Sequence, residues 1–254
     1  MGYNKAIIYG NNLELYEYKK DIIRLGGSRT PSKNNSDNAN MGAYREDMLS
    51  ERVLGKRQDN ARRASMDFRR IVASNLDGFA RPLLFTLTYR ENITNLEKAY
   101  RHYSSFIQSL RYKYGKDFRY VCVPEFQKRG AVHFHALIWG LPEEVFLLER
   151  RTRTFAGLWG HGFIYLKETD GDEKLSFYLS KYMAKAFVDS RLKNQKCYVA
   201  SRNIKRPTVI KNFSLTWPIF DEYNIVENAL VDRTYNTKWL GQGRYRLFKI
   251  SNLK

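Results

Sequence analysis

An α+β fold, in which helices back a central antiparallel β-sheet, is predicted by three features of the sequence. Between residues 81 and 188 the apolar periodicity runs strand, helix, hairpin, helix, strand, helix, an order suited to an antiparallel sheet with helices packed on it. The hairpin has a short Gly-bearing turn between alternating strands, "FRYVCVPEF" and "AVHFHALIW". No stretch repeats at the periods of solenoid proteins.

Each element follows from local chemistry. Residues 3–18, "YNKAIIYGNNLELYEY", read as two strands around a Gly-Asn-Asn turn. Residues 26–42 lack apolar periodicity and read as a mobile loop, and residues 43–75 have helical spacing with an Arg-rich surface. "RPLLFTLTY", residues 81–89, is a strand with Phe85, Leu87 and Tyr89 on one face and Leu84, Thr86 and Thr88 on the other. Residues 94–114 form an amphipathic helix whose stripe runs Leu96, Tyr100, Tyr103, Ile107, Leu110 and Tyr114. After the hairpin, a helix is expected over residues 143–159, a strand at "GFIYLKE", and a helix opening after Asp172. Three segments result: 1–79 with hairpin, loop and basic helix; a core over 80–190; and a basic extension over 191–254 packing on or beside the core.

Charge indicates the partner. Forty-four Lys+Arg against 26 Asp+Glu leave a formal +18, and aromatics make up 15% of the chain. A polyanion is expected, and planar rings suit unpaired bases, which stack on aromatic side chains for about 1–3 kcal/mol each. Residues 185–211 hold eight Lys/Arg and one acid, the best single stretch for phosphate contacts. Two cysteines in no paired spacing favour a reducing compartment. No apolar run reaches the length of a membrane helix and no signal-peptide order opens the sequence, so the expected location is the cytoplasm and no membrane partner is expected.

Two of the four histidines, His133 and His135, stand one residue apart in a strand and so project to one face, roughly 6–7 Å apart at Cα. One metal ion can bridge that spacing, and a third ligand belongs on the neighbouring strand. If Lys128–Arg129–Gly130 is a three-residue loop with Gly130 left-handed, Gln127 faces Ala131 and Glu125 pairs with His133. A two-residue loop pairs Glu125 with Phe134 and turns the carboxylate away. Imidazole plus carboxylate without thiolate suits Mn²⁺ or Mg²⁺.

"YLSKYMAK", residues 178–185, contains two overlapping copies of Tyr-x-x-Lys. At about 100° per residue, Tyr178, Lys181, Tyr182 and Lys185 share one helical stripe at the border of the apolar one. A phenol held there beside ammonium groups suits a nucleophile acting on phosphate.

The ordered set "FTLTY", "HFH" and "YLSKYMAK" resembles the His-hydrophobe-His (HUH) endonucleases that initiate rolling-circle replication of single-stranded DNA phages and small plasmids, and the paired tyrosines are similar to the two-tyrosine branch. The resemblance covers roughly residues 80–190. It implies an RRM-like, ferredoxin-like sheet with the histidine strand central; His133, His135 and Glu125 as ligands of a divalent cation; Tyr178 or Tyr182 as nucleophile; and Lys181 and Lys185 as charge partners. The implied reaction nicks and rejoins single-stranded DNA at a replication origin through a 5′-phosphotyrosine. Lys128, Arg129, Arg202, Lys205 and Arg206 are the expected DNA contacts. No G-x-x-x-x-G-K-[ST] stretch occurs, so a helicase, like the polymerase, is expected from a bacterial host. Transposases and relaxases share this chemistry. A non-enzymatic single-strand-binding module is the alternative of another class.

Overall fold

The structure, a computed structural model, describes residues 4–18, 60–76, 81–142, 144–145, 154–171, 175, 189–192, 195–211, 223–225, 229–237 and 241–252. In chain order the elements are β1 (Asn4–Tyr9), β2 (Asn12–Tyr18), α1 (60–74), β3 (Leu83–Tyr89), α2 (Leu96–Tyr114), β4 (Arg119–Phe126), β5 (Val132–Trp139), α3 (Thr154–Trp159), β6 (Gly162–Glu168), β7 (Val199–Ala200), β8 (Thr208–Lys211), β9 (Tyr223–Ile225), β10 (Val231–Thr237) and β11 (Gly241–Asn252). The class is α+β, with antiparallel pairing throughout. By contact the chain divides into two compact units, residues 57–206 and residues 1–56 with 207–254. The segments 1–79, 80–190 and 191–254 group the chain by motif, whereas these units group it by contact.

Residues 57–206 build a five-stranded sheet of order β6-β3-β5-β4-β7. The histidine strand β5 is the middle one, and seven of its eight residues, all but His133, are buried. Alternation sorts β3 as its sequence requires. Phe85 meets Phe155 at 5.2 Å and Phe106 at 6.3 Å between ring centroids, while Tyr103 of α2 meets Phe134 at 5.2 Å. One face of the sheet is thereby closed by α2 and α3. The other carries Thr86, Thr88, His133, His135 and Glu125, because residues directly opposite in a ladder share a face.

Helix α2 starts where Asn95 accepts a hydrogen bond from the Lys98 backbone N–H at 2.8 Å, an N-cap. Its buried stripe is Leu96, Ala99, Tyr103, Phe106, Ile107 and Leu110. Gly115, at φ +89°, ends it by donating to the Arg111 carbonyl. Beyond the expected core boundary, Val199 and Ala200 pair with Cys122 and Val121, so the chain past residue 191 adds an edge strand to this sheet. Fully buried Asn75 fastens the loop that follows. Its amide donates to the carbonyls of Ile71 and Lys205, and its oxygen accepts from the Lys205 N–H.

The second unit is a sheet of order β10-β11-β2-β1-β8, with β9 on β11. The hairpin expected at residues 3–18 forms, turning at Gly10 and Asn11 with Gly10 at φ +50°. Its partners come from the other end of the chain: β8 pairs β1, and β11 pairs β2. Ala6, Leu13, Leu15, Phe248 and Ile250 make its core. Of the helix expected over 143–159, residues 144–145 and Thr154–Trp159 are helical, and the rest lies outside the described residues. The loop expected at 26–42, residues 43–59 and most of the helix after Asp172 also lie outside them. Among the described residues no helix is long and apolar enough to cross a membrane.

Candidate functional site

The β4–β5 turn sets the site. Gly130 adopts φ +89°, its N–H donates to the Gln127 carbonyl at 2.8 Å, and the Gln127 N–H donates to the Ala131 carbonyl at 2.9 Å. This is the three-residue loop with a left-handed glycine, the longer of the two turns the sequence allows. Glu125 consequently lies opposite His133, and not opposite Phe134.

His135 Nε2 and Glu125 Oε2 are 2.9 Å apart, with the histidine side chain 8% exposed and the glutamate 22%. The His133 and His135 rings stand 4.7 Å apart between centroids at 72°. Burial, reinforced by neighbouring His135 and opposed by Glu125, brings the His133 imidazole down to about 4. His133 is therefore neutral near pH 7 and keeps a lone pair for a cation. Its Nδ1 lies 3.0 Å from Thr88 Oγ1 and 3.5 Å from Gln127 Nε2. A hydroxyl serves either tautomer: it donates to bare Nδ1, or accepts from Nδ1–H and leaves Nε2 available.

Chemically the set fits a hard or borderline divalent ion, with two imidazoles, one carboxylate and no thiolate on one sheet face. Among the described residues, no three His, Cys, Asp or Glu side chains converge as a finished cage. Glu125 Oε2 lies instead within hydrogen-bond distance of His135 Nε2.

Beside His133 a cleft of about 530 Å³ opens between the ends of β3 and β6 and the turn, bordered by Arg90, Lys128, Arg129 and Phe163. Lys128 is exposed at its rim. Arg129 braces it: its guanidinium donates to the carbonyls of Tyr89 and Arg90 and to Gln127 Oε1. Of the other expected DNA contacts, Arg202, Lys205 and Arg206 are exposed but sit at the opposite end of β4, where the Ser201 N–H meets the Tyr120 carbonyl. Five residues of strand, about 17 Å, separate Tyr120 from Glu125. Tyr178, Lys181, Tyr182 and Lys185 lie outside the described residues.

Sequence reasoning missed the pairing of the remaining histidines. His102 of α2 and His161 before β6 stack at 3.8 Å with 14° between planes, and Tyr89 packs against both. The partners are distant in sequence and carry no shared periodicity. Tyr89 donates to the Ala99 carbonyl at 3.4 Å, and burial raises its phenol well above the usual range, so it is held as a structural group.

Fold and site together define a class: an antiparallel-sheet protein presenting a carboxylate–diimidazole group and a basic cleft on one face. Residues 82–187 match the family described as Replication-associated protein ORF2/G2P. That span includes β3, β4, β5 and β6 and extends through the tyrosine segment. The similarity supports a Rep-like replication protein, for which DNA is the plausible partner. No curated protein and no solved structure matches the chain.

Proposed function

We propose that this chain initiates replication by nicking and rejoining single-stranded DNA at an origin, through a covalent tyrosine intermediate of the two-tyrosine HUH kind. The observation that carries the reading is the register of the β4–β5 hairpin, which brings Glu125 opposite His133 and within 2.9 Å of His135, inside the segment similar to replication-associated proteins.

The roles follow from the residue chemistry. His133, His135 and Glu125 hold Mn²⁺ or Mg²⁺, which when bound supplies positive charge to polarise the scissile phosphate. Thr88 orients the His133 ring. The phenol oxygen of Tyr178 or Tyr182 attacks phosphorus and the bond to the 3′ oxygen breaks. The phenolic proton ends, through solvent, on the departing 3′ oxygen. Lys181 and Lys185 offset charge on phenolate and phosphate. The phosphotyrosyl ester conserves the energy of the broken bond, so attack by a 3′ hydroxyl reseals the strand without ATP, and a second tyrosine permits a second cut while the first is occupied. A host helicase and polymerase complete the cycle.

The test is a denaturing gel of the full chain incubated with labelled single-stranded DNA and Mn²⁺. A covalent adduct is expected, dependent on metal and on His133, and lost only when Tyr178 and Tyr182 are both changed to Phe. An adduct that survives the double change refutes the tyrosine assignment. A native-gel shift with no covalent product points to a binding module instead.

A further inference from the structure

Strand β6 leaves two large aromatic side chains in solvent. Phe163 is 67% exposed and Tyr165 64%. They are i and i+2 on an edge strand and so face the same way, with exposed Lys167 next in the row, while Ile164 and Leu166 turn to the core. Single exposed rings are ordinary; a pair aligned with the candidate site is more informative.

The ladders fix that alignment. Phe163 lies opposite Thr88, Thr88 opposite His133, and His133 opposite Glu125. Tyr165 lies opposite Thr86, and Thr86 opposite His135. Each aromatic therefore stands in the same row and on the same face as one histidine. Two strand spacings, about 10 Å at Cα, separate each ring from its histidine. Between them are threonines, too short to wall the rings off. Arg90, Lys128 and Arg129 line the same cleft as Phe163, and exposed Lys167 follows Tyr165 in the row, so cations stand near the rings as a sugar-phosphate backbone requires.

We propose that Phe163 and Tyr165 are a stacking platform for unpaired bases of the DNA strand whose phosphate lies at His133 and His135. The roughly 6–7 Å between the two positions lets each ring take a separate base. Flat rings without a hydrogen-bonding fence accept any base, so the platform grips single strands and rejects duplex, whose bases already stack on one another. This assignment rests on the reading that the chain handles single-stranded DNA, and it extends that reading to the nucleotides flanking the scissile bond.

The experiment measures fluorescence anisotropy of a labelled unpaired oligonucleotide with EDTA present, so that binding is read without chemistry. Phe163→Ala and Tyr165→Ala are each expected to raise Kd about fivefold or more, Trp at either position to restore affinity, and Leu to fail. On an oligonucleotide made wholly of abasic sites, wild type and the double Ala variant should bind alike. Equal losses on intact and abasic strands, or full affinity with Leu, overturn the proposal, as does a double variant that alters only sedimentation, which marks an interface between copies. The covalent-adduct gel runs in parallel. An adduct with no ring dependence sinks the platform alone; ring-dependent binding with no adduct sinks the nicking reading alone.

Discussion

Replacing Gly162 with alanine is expected to unfasten β6 from β3. An ideal Cβ built there falls 2.3 Å from the Thr88 carbonyl oxygen, 2.5 Å from the Arg90 nitrogen and 2.9 Å from the Tyr89 carbonyl carbon. All three are backbone atoms of a paired strand, and none rotates aside. Relief requires the start of β6 to retreat by roughly an ångström, which breaks the 2.9 Å bond from the Arg90 N–H to the His161 carbonyl and strains the Tyr89–Gly162 pairing. Overpacking of this kind costs about 1–3 kcal/mol, and a lost backbone hydrogen bond about 1 more. At about 2–4 °C per kcal/mol for a unit of this size, a loss of roughly 3 kcal/mol lowers Tm by about 6–12 °C. Differential scanning calorimetry reads the shift, with Gly157→Ala as the opposite-sign control. Gly157 lies in α3 with nothing within 4 Å of its would-be Cβ, so alanine there should stabilise by about 0.5–1 kcal/mol. A Gly162→Ala protein melting within about 1 °C of wild type would refute the close approach on which the Phe163 row depends.

Other outcomes follow from the same geometry. Gly130→Ala should cost about 1–2 kcal/mol from its φ of +89° alone, because the nearest atom to a new Cβ is 3.5 Å away; urea midpoints for Ala and Asn variants, with Asn milder, check this. Thr88→Val keeps shape but removes the hydroxyl beside His133, so Mn²⁺ affinity measured by titration calorimetry should fall about 10–100-fold with Tm nearly unchanged; equal affinity would remove Thr88 from the site. Burial chiefly, with His161, Lys98 and Arg101 beside it, lowers the His102 imidazole, and burial, opposed by Glu91 and reinforced by Lys98, lowers that of His161. A lowered folded value means that the neutral pair contributes fully above the unfolded value near 6.5 and loses that contribution as pH falls toward the folded values. His102→Gln should therefore flatten the fall in Tm below about pH 6.5, and an unchanged acid limb counts against the stack. In the native protein a thiol reagent should modify half-buried Cys197 before Cys122, whose thiol is fully buried and pushed up by that burial; simultaneous labelling would mean that the sheet opens as a whole.

What could be read in advance was what short-range chemistry decides. The alternation in "FTLTY" and "HFHALIW" assigns faces by itself, and a Gly three residues into a turn chooses between two registers with opposite consequences for Glu125. The sequence left that choice open, and the Gln127–Ala131 closure resolves it. The sheet of residues 1–56 and 207–254 was not legible, because Tyr18 pairs with Gly243 across most of the chain and no local pattern names so distant a partner. The His102–His161 stack escaped for a related reason: ring-on-ring contact leaves no periodic trace. The alternation of "GFIYLKE" did contain the Phe163–Tyr165–Lys167 row, but its meaning depends on β6 lying next to β3. His133, His135 and Glu125 come together on one face, whereas Arg202, Lys205 and Arg206 collect at the far end of β4.

The pairing of β2 with β11 makes residues 57–206 an insertion within a loop of the other unit. Loop-closure entropy then sets an order of assembly. The inserted unit is built from one uninterrupted stretch and can form as soon as that stretch leaves the ribosome, whereas β1 and β2 wait for the last strand to be synthesised. Once the insertion has folded, the span of chain between β2 and β11 has collapsed, and the search by which those two strands find each other shortens accordingly.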